Sequence, residues 1–531
     1  MNCFVFFLLS AFGLWLVSGN VAAQTPQFGK LEPGAYAVGF RVVQQYDYSR
    51  TVKPKNDWAG QATQGESAAL MQIGVWYPAK AASTAARLRY EEYLWLNQKS
   101  ESFTALTEAD KQQARKSLGE TLRFAFNHEA TEQELQTILS APMAAIRDAE
   151  PESGRFPIIL GGLGKVGNTS VLAEYLASHG YVVATVGRHA HIGTLQVLQP
   201  QVALEWHTRN FEYLLPLLRT YTFADLNRVG VLGVNFDGMA ALNFQMRNQL
   251  ADAVVSLDGW ESKNFSAATA RQSPYFDALK LRAPYLLFLQ DKPPNPGLQF
   301  DAAFFHSLKY AERYFYQVNQ LEHAAYVANP LALPLLDATK RTGVEFVYQS
   351  VLYFLNAYVK KDARSLAWLK RSAEANGFSK ELLKAETKLP ALPPAPTAAE
   401  FEQLLGVGLG QDGSSLTRGI EVFRAAKKAD PELTLFSVPG INMFAFRMKR
   451  QNKPEAALAL LKLGVEAYPQ SATALDNLGS AYLEFGRPER ALECFTQALA
   501  LVADDPDLNE GEKAQFRNEL QQKFNRLKGA K

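Results

Sequence analysis

At 531 residues the chain is longer than one hydrophobic core ordinarily serves, so two or more domains are expected. Its 47% hydrophobic and 20% charged content is that of a globular protein and excludes a disordered one. A net charge of +2 without any long basic run argues against nucleic acid as a partner.

Residues 1–23 read as a signal peptide. Phe4 to Val17 is a continuous apolar run, and the small residues Val21-Ala22-Ala23 stand before Gln24. The run is short for a membrane-spanning helix, which needs ~20 apolar residues. The expectation is export to the periplasm or medium, with cleavage near Ala23 and no stable membrane span. Retention as an N-terminal anchor is the alternative, since only the terminal amine supplies positive charge there. Cleavage removes Cys3 and leaves Cys494 alone, so no intramolecular disulfide and no cysteine-based metal site are expected.

Residues 24–387 read as one α/β domain. Gly34 to Arg50 and Met71 to Tyr77 have strand patterning and open a mixed sheet in antiparallel fashion. Residues 81–152 differ in character and are expected to be a helical insertion. Ala85 to Leu96, Thr107 to Asn127 and Thr131 to Asp148 carry helical spacing, with capping boxes at Thr107–Asp110 and Thr131–Glu134. The insertion either covers the mouth of a site or packs on the sheet edge.

Strands then alternate with helices. Phe156 to Leu160, Tyr181 to Val186, Arg228 to Val234, Ala253 to Leu257, Pro284 to Leu289 and Glu312 to Val318 are the strand candidates. This order implies a mostly parallel sheet covered on both faces, with ligands at the carboxyl ends of the strands.

The proline-rich stretch 388–397 reads as a semi-rigid linker. Beyond it, residues 398–531 repeat themselves. Phe423-x-x-Ala426, Leu461-x-x-Gly464 and Phe495-x-x-Ala498 are followed by Pro431, Pro469 and Pro506, at intervals of 38 and 37 residues. The last copy, with Leu475, Leu478, Gly479, Tyr482, Ala491, Phe495 and Ala498, resembles the tetratricopeptide repeat. Small residues at Gly479, Ala491 and Ala498 let paired helices approach. Asn509 to Leu527 is amphipathic and suits a capping helix. The resemblance implies an all-α domain that binds a protein partner.

The segment Arg228-Val-Gly-Val-Leu-Gly-Val-Asn-Phe-Asp-Gly238 reads as a strand, a sharp turn at Asn235 and a helix beginning near Asp237. It has the setting of the G-x-S-x-G nucleophile elbow, with Asn235 in the place of serine and Asp237 in that of the second glycine. With Phe156-Pro-Ile-Ile-Leu-Gly-Gly-Leu-Gly164 and Leu172 to Val183, the domain resembles the platelet-activating-factor acetylhydrolase and dienelactone-hydrolase-like branch of the α/β-hydrolases. That resemblance implies an oxyanion loop at Gly161 to Gly164, in which Gly162 and Leu163 lack the usual preceding histidine. It implies a second oxyanion donor at the Phe236 N–H, a triad acid at Asp258 and a triad histidine at His323. Asp291 is the alternative acid, one strand later; its competing role is a strand-end turn. His128, His179, His189, His191, His207 and His306 have no motif context. No H-E-x-x-H spacing occurs, and neither metal nor cofactor is expected.

Asn235 changes the chemistry. Histidine can activate a serine hydroxyl, whereas an amide nitrogen has no comparable lone pair to offer a carbonyl. A carboxylate at Asp237 would oppose negative charge developing at the oxyanion position. Asparagine nevertheless tolerates the positive φ of an elbow residue. The preferred reading is a pseudo-hydrolase that binds an ester-like or small apolar ligand, or a protein, coupled to the repeats. The alternative is an active carboxylic-ester hydrolase with an atypical nucleophile, for which Ser256 is the candidate. A third reading makes the α/β domain a scaffold for the repeats.

Overall fold

The structure is a computed structural model that describes residues 28–53, 67–81, 86–98, 103–187, 195–291, 299–327, 337–391, 414–429, 433–506 and 508–529, with single residues at 61, 293, 401, 405 and 431. The signal segment, His189, His191 and most of the proline-rich linker lie outside the described residues. Among the described residues, no helix is long and apolar enough to cross a membrane. The chain divides into two compact units, residues 1–392 and 393–531.

The first unit is built on one mixed, mostly parallel sheet. Its strands are β1 (Ala37–Lys53), β2 (Ser67–Ala79), β3 (Arg87–Arg89), β4 (Pro142–Arg147), β5 (Phe156–Gly162), β6 (Val182–Val186), β7 (Ala224–Val234), β8 (Ala253–Leu257), β9 (Tyr285–Leu289), β10 (Arg313–Val318) and β11 (Leu383–Lys388). They lie in the order β11-β10-β9-β8-β7-β5-β6-β2-β1-β4-β3. β5 through β10 run parallel to one another, while β1 and β2 pair antiparallel and β2 joins β6 antiparallel. The strand order reverses at β5, between β6 and β7, and that switch opens a crevice at the carboxyl ends.

The core strands read as unbroken apolar runs because both sheet faces are buried. Ile159, Val183, Leu232 and Val255 join one core, which helices α4 (Ser170–Ser178) and α8 (Ala338–Tyr358) cover. Ile158, Leu160, Val182, Ala184, Val231 and Val254 join the other, beneath α5 (Pro200–Arg219) and α6 (Phe236–Asn248). Neighbouring residues on one strand thus belong to opposite layers.

The insertion departs from its expected form. It contains α1 (Tyr90–Gln98), α2 (Glu108–Phe126) and α3 (Glu132–Leu139), and both expected capping boxes are present. Its two ends, however, are strands rather than helix. The stretch expected as helix from Ala85 begins with β3, and the one expected from Thr131 to Asp148 ends in β4. β4 pairs parallel with β1, Ala145 opposite Val38, and β3 completes the edge. Pairing with the open edge of β1 outweighs local helical spacing, and Pro142 helps by disfavouring helix for Ala141. The insertion therefore packs on the sheet edge. Its helix α2 also touches α7 (His323–Val327).

Two further details differ from the sequence reading. β7 begins at Ala224, earlier than expected, and β11 adds an antiparallel strand to β10, so Lys388 belongs to the sheet and not to the linker.

The second unit is all-helical. After α9 (Ser414–Ala429) come α10 (Val438–Arg450), α11 (Pro454–Ala467), α12 (Ala472–Glu484), α13 (Pro488–Leu501) and α14 (Glu510–Gly529). The α10–α11 and α12–α13 pairs begin 34 residues apart, at Val438 and Ala472 and at Pro454 and Pro488. A Cβ added at Gly479 of α12 would lie 2.7 Å from the Phe495 ring and 3.0 Å from Cys494 Cβ. Gly479→Leu is therefore expected to part α12 from α13 and to destabilise this unit by about 1–3 kcal/mol, the range for overpacking a filled core. Chemical denaturation followed by helical circular dichroism checks this; an unchanged midpoint would contradict the close approach.

Candidate active site

The elbow forms where β7 passes into α6. Asn235 takes φ 59°, ψ −124°, a left-handed backbone at the corner. Its N–H donates to Leu257 O at 2.9 Å, and its carbonyl accepts from Gly238 N at 3.1 Å and Trp260 N at 3.2 Å. These bonds fasten the corner to the end of β8. Gly233 makes the turn sterically possible, because a Cβ there would come within 2.1 Å of Asp237 O. The side-chain Oδ1 of Asn235 is buried and has no hydrogen-bond partner among the described residues.

Asp258 follows β8 and His323 begins α7, and the structure brings them together. His323 Nδ1 hydrogen-bonds Asp258 Oδ2. The same oxygen accepts from Lys263 Nζ at 3.0 Å and Gln290 Nε2 at 3.3 Å, while Oδ1 accepts from Gln290 N at 3.1 Å. Asp258 is 0% and Lys263 1% exposed. Burial alone pushes the Asp258 carboxyl up, but the His323 hydrogen bond and the charge of Lys263 outweigh it and hold the group below the ordinary aspartate value. Asp291, the alternative acid, sits at the end of β9. Its carboxylate accepts from Gln320 N at 3.0 Å and its N–H donates to Leu321 O at 2.8 Å. It braces the turn that leads to His323.

Protein side chains pack closely around the expected oxyanion loop. The Leu163 N–H donates to Thr185 Oγ1 at 3.4 Å. Gly162 lies directly under Asp237, since a Cβ at Gly162 would fall 2.5 Å from Asp237 Cβ. The Phe236 ring is buried between His207 and Trp260, with centroids 5.1 and 5.3 Å away. Asp237 itself is buried, and its carboxylate bonds His207 Nδ1. Gln196 Nε2 lies 3.0 Å from His207 Nε2. With the Gln196 amide donating there, the ring proton sits on Nδ1 and faces Asp237. The recess left among Gly161, Gly164, Asn210 and these side chains measures about 10 Å³, room for about one water molecule.

His207 has no motif context in the sequence, yet a signal marks it. It lies on the buried stripe of α5 with Ala203, Leu204, Phe211 and Leu214. A polar side chain on such a stripe needs a partner. No comparable signal marks Lys263.

Ser256, the candidate atypical nucleophile, is 0% exposed and donates to Glu261 Oε1. Tyr285 OH donates to the same oxygen at 2.7 Å. Burial raises the Glu261 carboxyl despite these bonds. Among the described residues, no group of three or more His, Cys, Asp or Glu side chains could hold a metal ion.

The strand order and the elbow give the first unit an α/β-hydrolase-like fold, followed by an all-helical unit. No family model and no curated protein matches the sequence. Among solved structures the chain is similar to a ferulic acid esterase from Streptomyces cinnamoneus, with 16% identity, a TM-score of 0.46, and coverage of 67% of this chain and 98% of that one.

Proposed function

We propose that this chain is an exported, non-catalytic relative of the platelet-activating-factor acetylhydrolase and dienelactone-hydrolase-like enzymes. In this reading residues 24–387 bind a ligand or protein, and tetratricopeptide-like repeats in residues 398–531 recruit a protein partner. One observation carries it: an amide, Asn235, stands at the elbow corner bonded to Leu257, the residue before Asp258, which hydrogen-bonds His323.

Three features around that corner support loss of the reaction. Asp237, paired with His207, packs against Gly162 of the expected oxyanion loop, and the Leu163 N–H is already engaged. Lys263 already balances the charge of Asp258, so that carboxylate has less left to stabilise an imidazolium at His323. Ser256 is buried against Glu261, which counts against an atypical serine nucleophile. The 34-residue offset of the helix pairs supports the repeat assignment.

The test is an ester assay on the full-length mature protein with p-nitrophenyl acetate and butyrate, beside Asn235→Ala and Ser256→Ala. All three are expected to match the buffer rate. Wild-type turnover that persists in Asn235→Ala and disappears in Ser256→Ala would overturn the proposal.

A further inference from the structure

A cavity of about 120 Å³ lies among α1, α2, α3 and the segment 165–168, which follows the glycine loop. Leu94, Leu118, Leu122 and Ile138 are buried residues of its wall. The side-chain amides of Asn97, Gln98 and Asn168 also line it, and Lys165 is the charged side chain of the lining, which includes no carboxylate. Asn97 Oδ1 accepts from Gly167 N at 3.0 Å, so its Nδ2 is left to donate elsewhere.

Protein interiors pack tightly, and a gap between aliphatic side chains forfeits dispersion contacts. A longer side chain at Leu118 would close this one. The chain instead keeps a partly open pocket, nearly as polar as it is apolar, with side-chain amides and a positive charge in its lining. Its size approaches that of apolar cavities of ~150 Å³ known to admit benzene.

We infer that this cavity binds a small single-ring carboxylic acid. The ring lies against Leu94, Leu118, Leu122 and Ile138, and the carboxylate accepts hydrogen bonds from the amides of Asn97, Gln98 and Asn168. None of its lining residues belongs to the elbow, and the proposal stands whether or not the elbow is silent. One of its walls, α2, also touches α7, the helix that His323 begins.

The test is fluorine NMR of 4-fluorobenzoate with the full-length protein. Saturable binding is expected with Kd in the range of ~10 μM to 1 mM, as suits a ligand of this size. Leu118→Phe fills the chamber and is expected to weaken binding by roughly tenfold or more, with the fold checked by circular dichroism. Asn168→Ala, at the polar part of the lining, serves if that core variant unfolds. It is expected to weaken 4-fluorobenzoate several-fold while leaving the weaker binding of fluorobenzene unchanged. No saturable binding to the wild type, or equal affinity in Asn168→Ala, would overturn the proposal. Equal affinity for 4-fluorobenzamide would overturn the carboxylate assignment.

Discussion

Asn235→Ser combined with Asp237→Gly is expected to hydrolyse p-nitrophenyl acetate roughly 10²–10³-fold faster than the wild-type chain, the scale on which one oxyanion donor acts. Asn235→Ser alone should gain less than about tenfold, because members of a triad act as a unit and Asp237 still packs against Gly162. A serine at residue 235 would inherit the strained corner at φ 59° and the three backbone bonds that hold it. His323 already has Nδ1 on Asp258, so its Nε2 is the nitrogen left to take a proton. Removing the Asp237 side chain clears the space beside Gly162 and withdraws a buried carboxylate from the glycine loop. Activity should nevertheless remain well below that of an efficient esterase. The Leu163 N–H stays on Thr185, and Lys263 continues to offset Asp258. Steady-state rates of the two variants beside the wild type check this. A folded double variant no faster than wild type would mean that Asp258 and His323 are not poised for catalysis.

How much of this site the sequence disclosed depended on the range of the interaction. The elbow was legible because local chemistry produces it: an apolar strand, Gly233 where no Cβ fits, and an asparagine that tolerates positive φ. The central strands were legible because burial on both faces leaves a continuous apolar run. β3, β4 and β11 were not, because each lies toward a sheet edge and owes its conformation to the strand beside it. The least legible features were side-chain pairs distant in the chain. His207 meets Asp237 across 30 residues with no motif to mark it, whereas Asp258 and His323, 65 residues apart, were named through the family resemblance alone. Asp237, a carboxylate in the place of the second elbow glycine, is one half of a buried pair. The second departure from the elbow motif thus brings its own partner and packs against Gly162.

Glu174→Gln is expected to remove a pH dependence of stability worth about 3 kcal/mol between pH 4.5 and 7. Glu174 lies on α4 and is 1% exposed. It accepts hydrogen bonds from Tyr93 OH at 2.7 Å, Ala144 N at 2.8 Å and Ala145 N at 3.2 Å. Tyr93 belongs to α1 and the two alanines to β4, so this one carboxyl fastens the insertion to α4. Burial pushes its pKa from 4.5 to about 7, against the opposing pull of Tyr93 and the two backbone amides. Between those values the native state holds a proton that the unfolded chain has released. Its contribution is therefore fully present below pH 4.5, falls as pH rises, and is lost above about 7. Glutamine keeps an acceptor for the three donors and cannot titrate. Urea denaturation at pH 5 and pH 8 separates this carboxyl from the others, which both proteins share. The wild type should lose about 3 kcal/mol more than Glu174→Gln over that interval. Equal losses in the two proteins would show that the clamp between the insertion and α4 does not titrate.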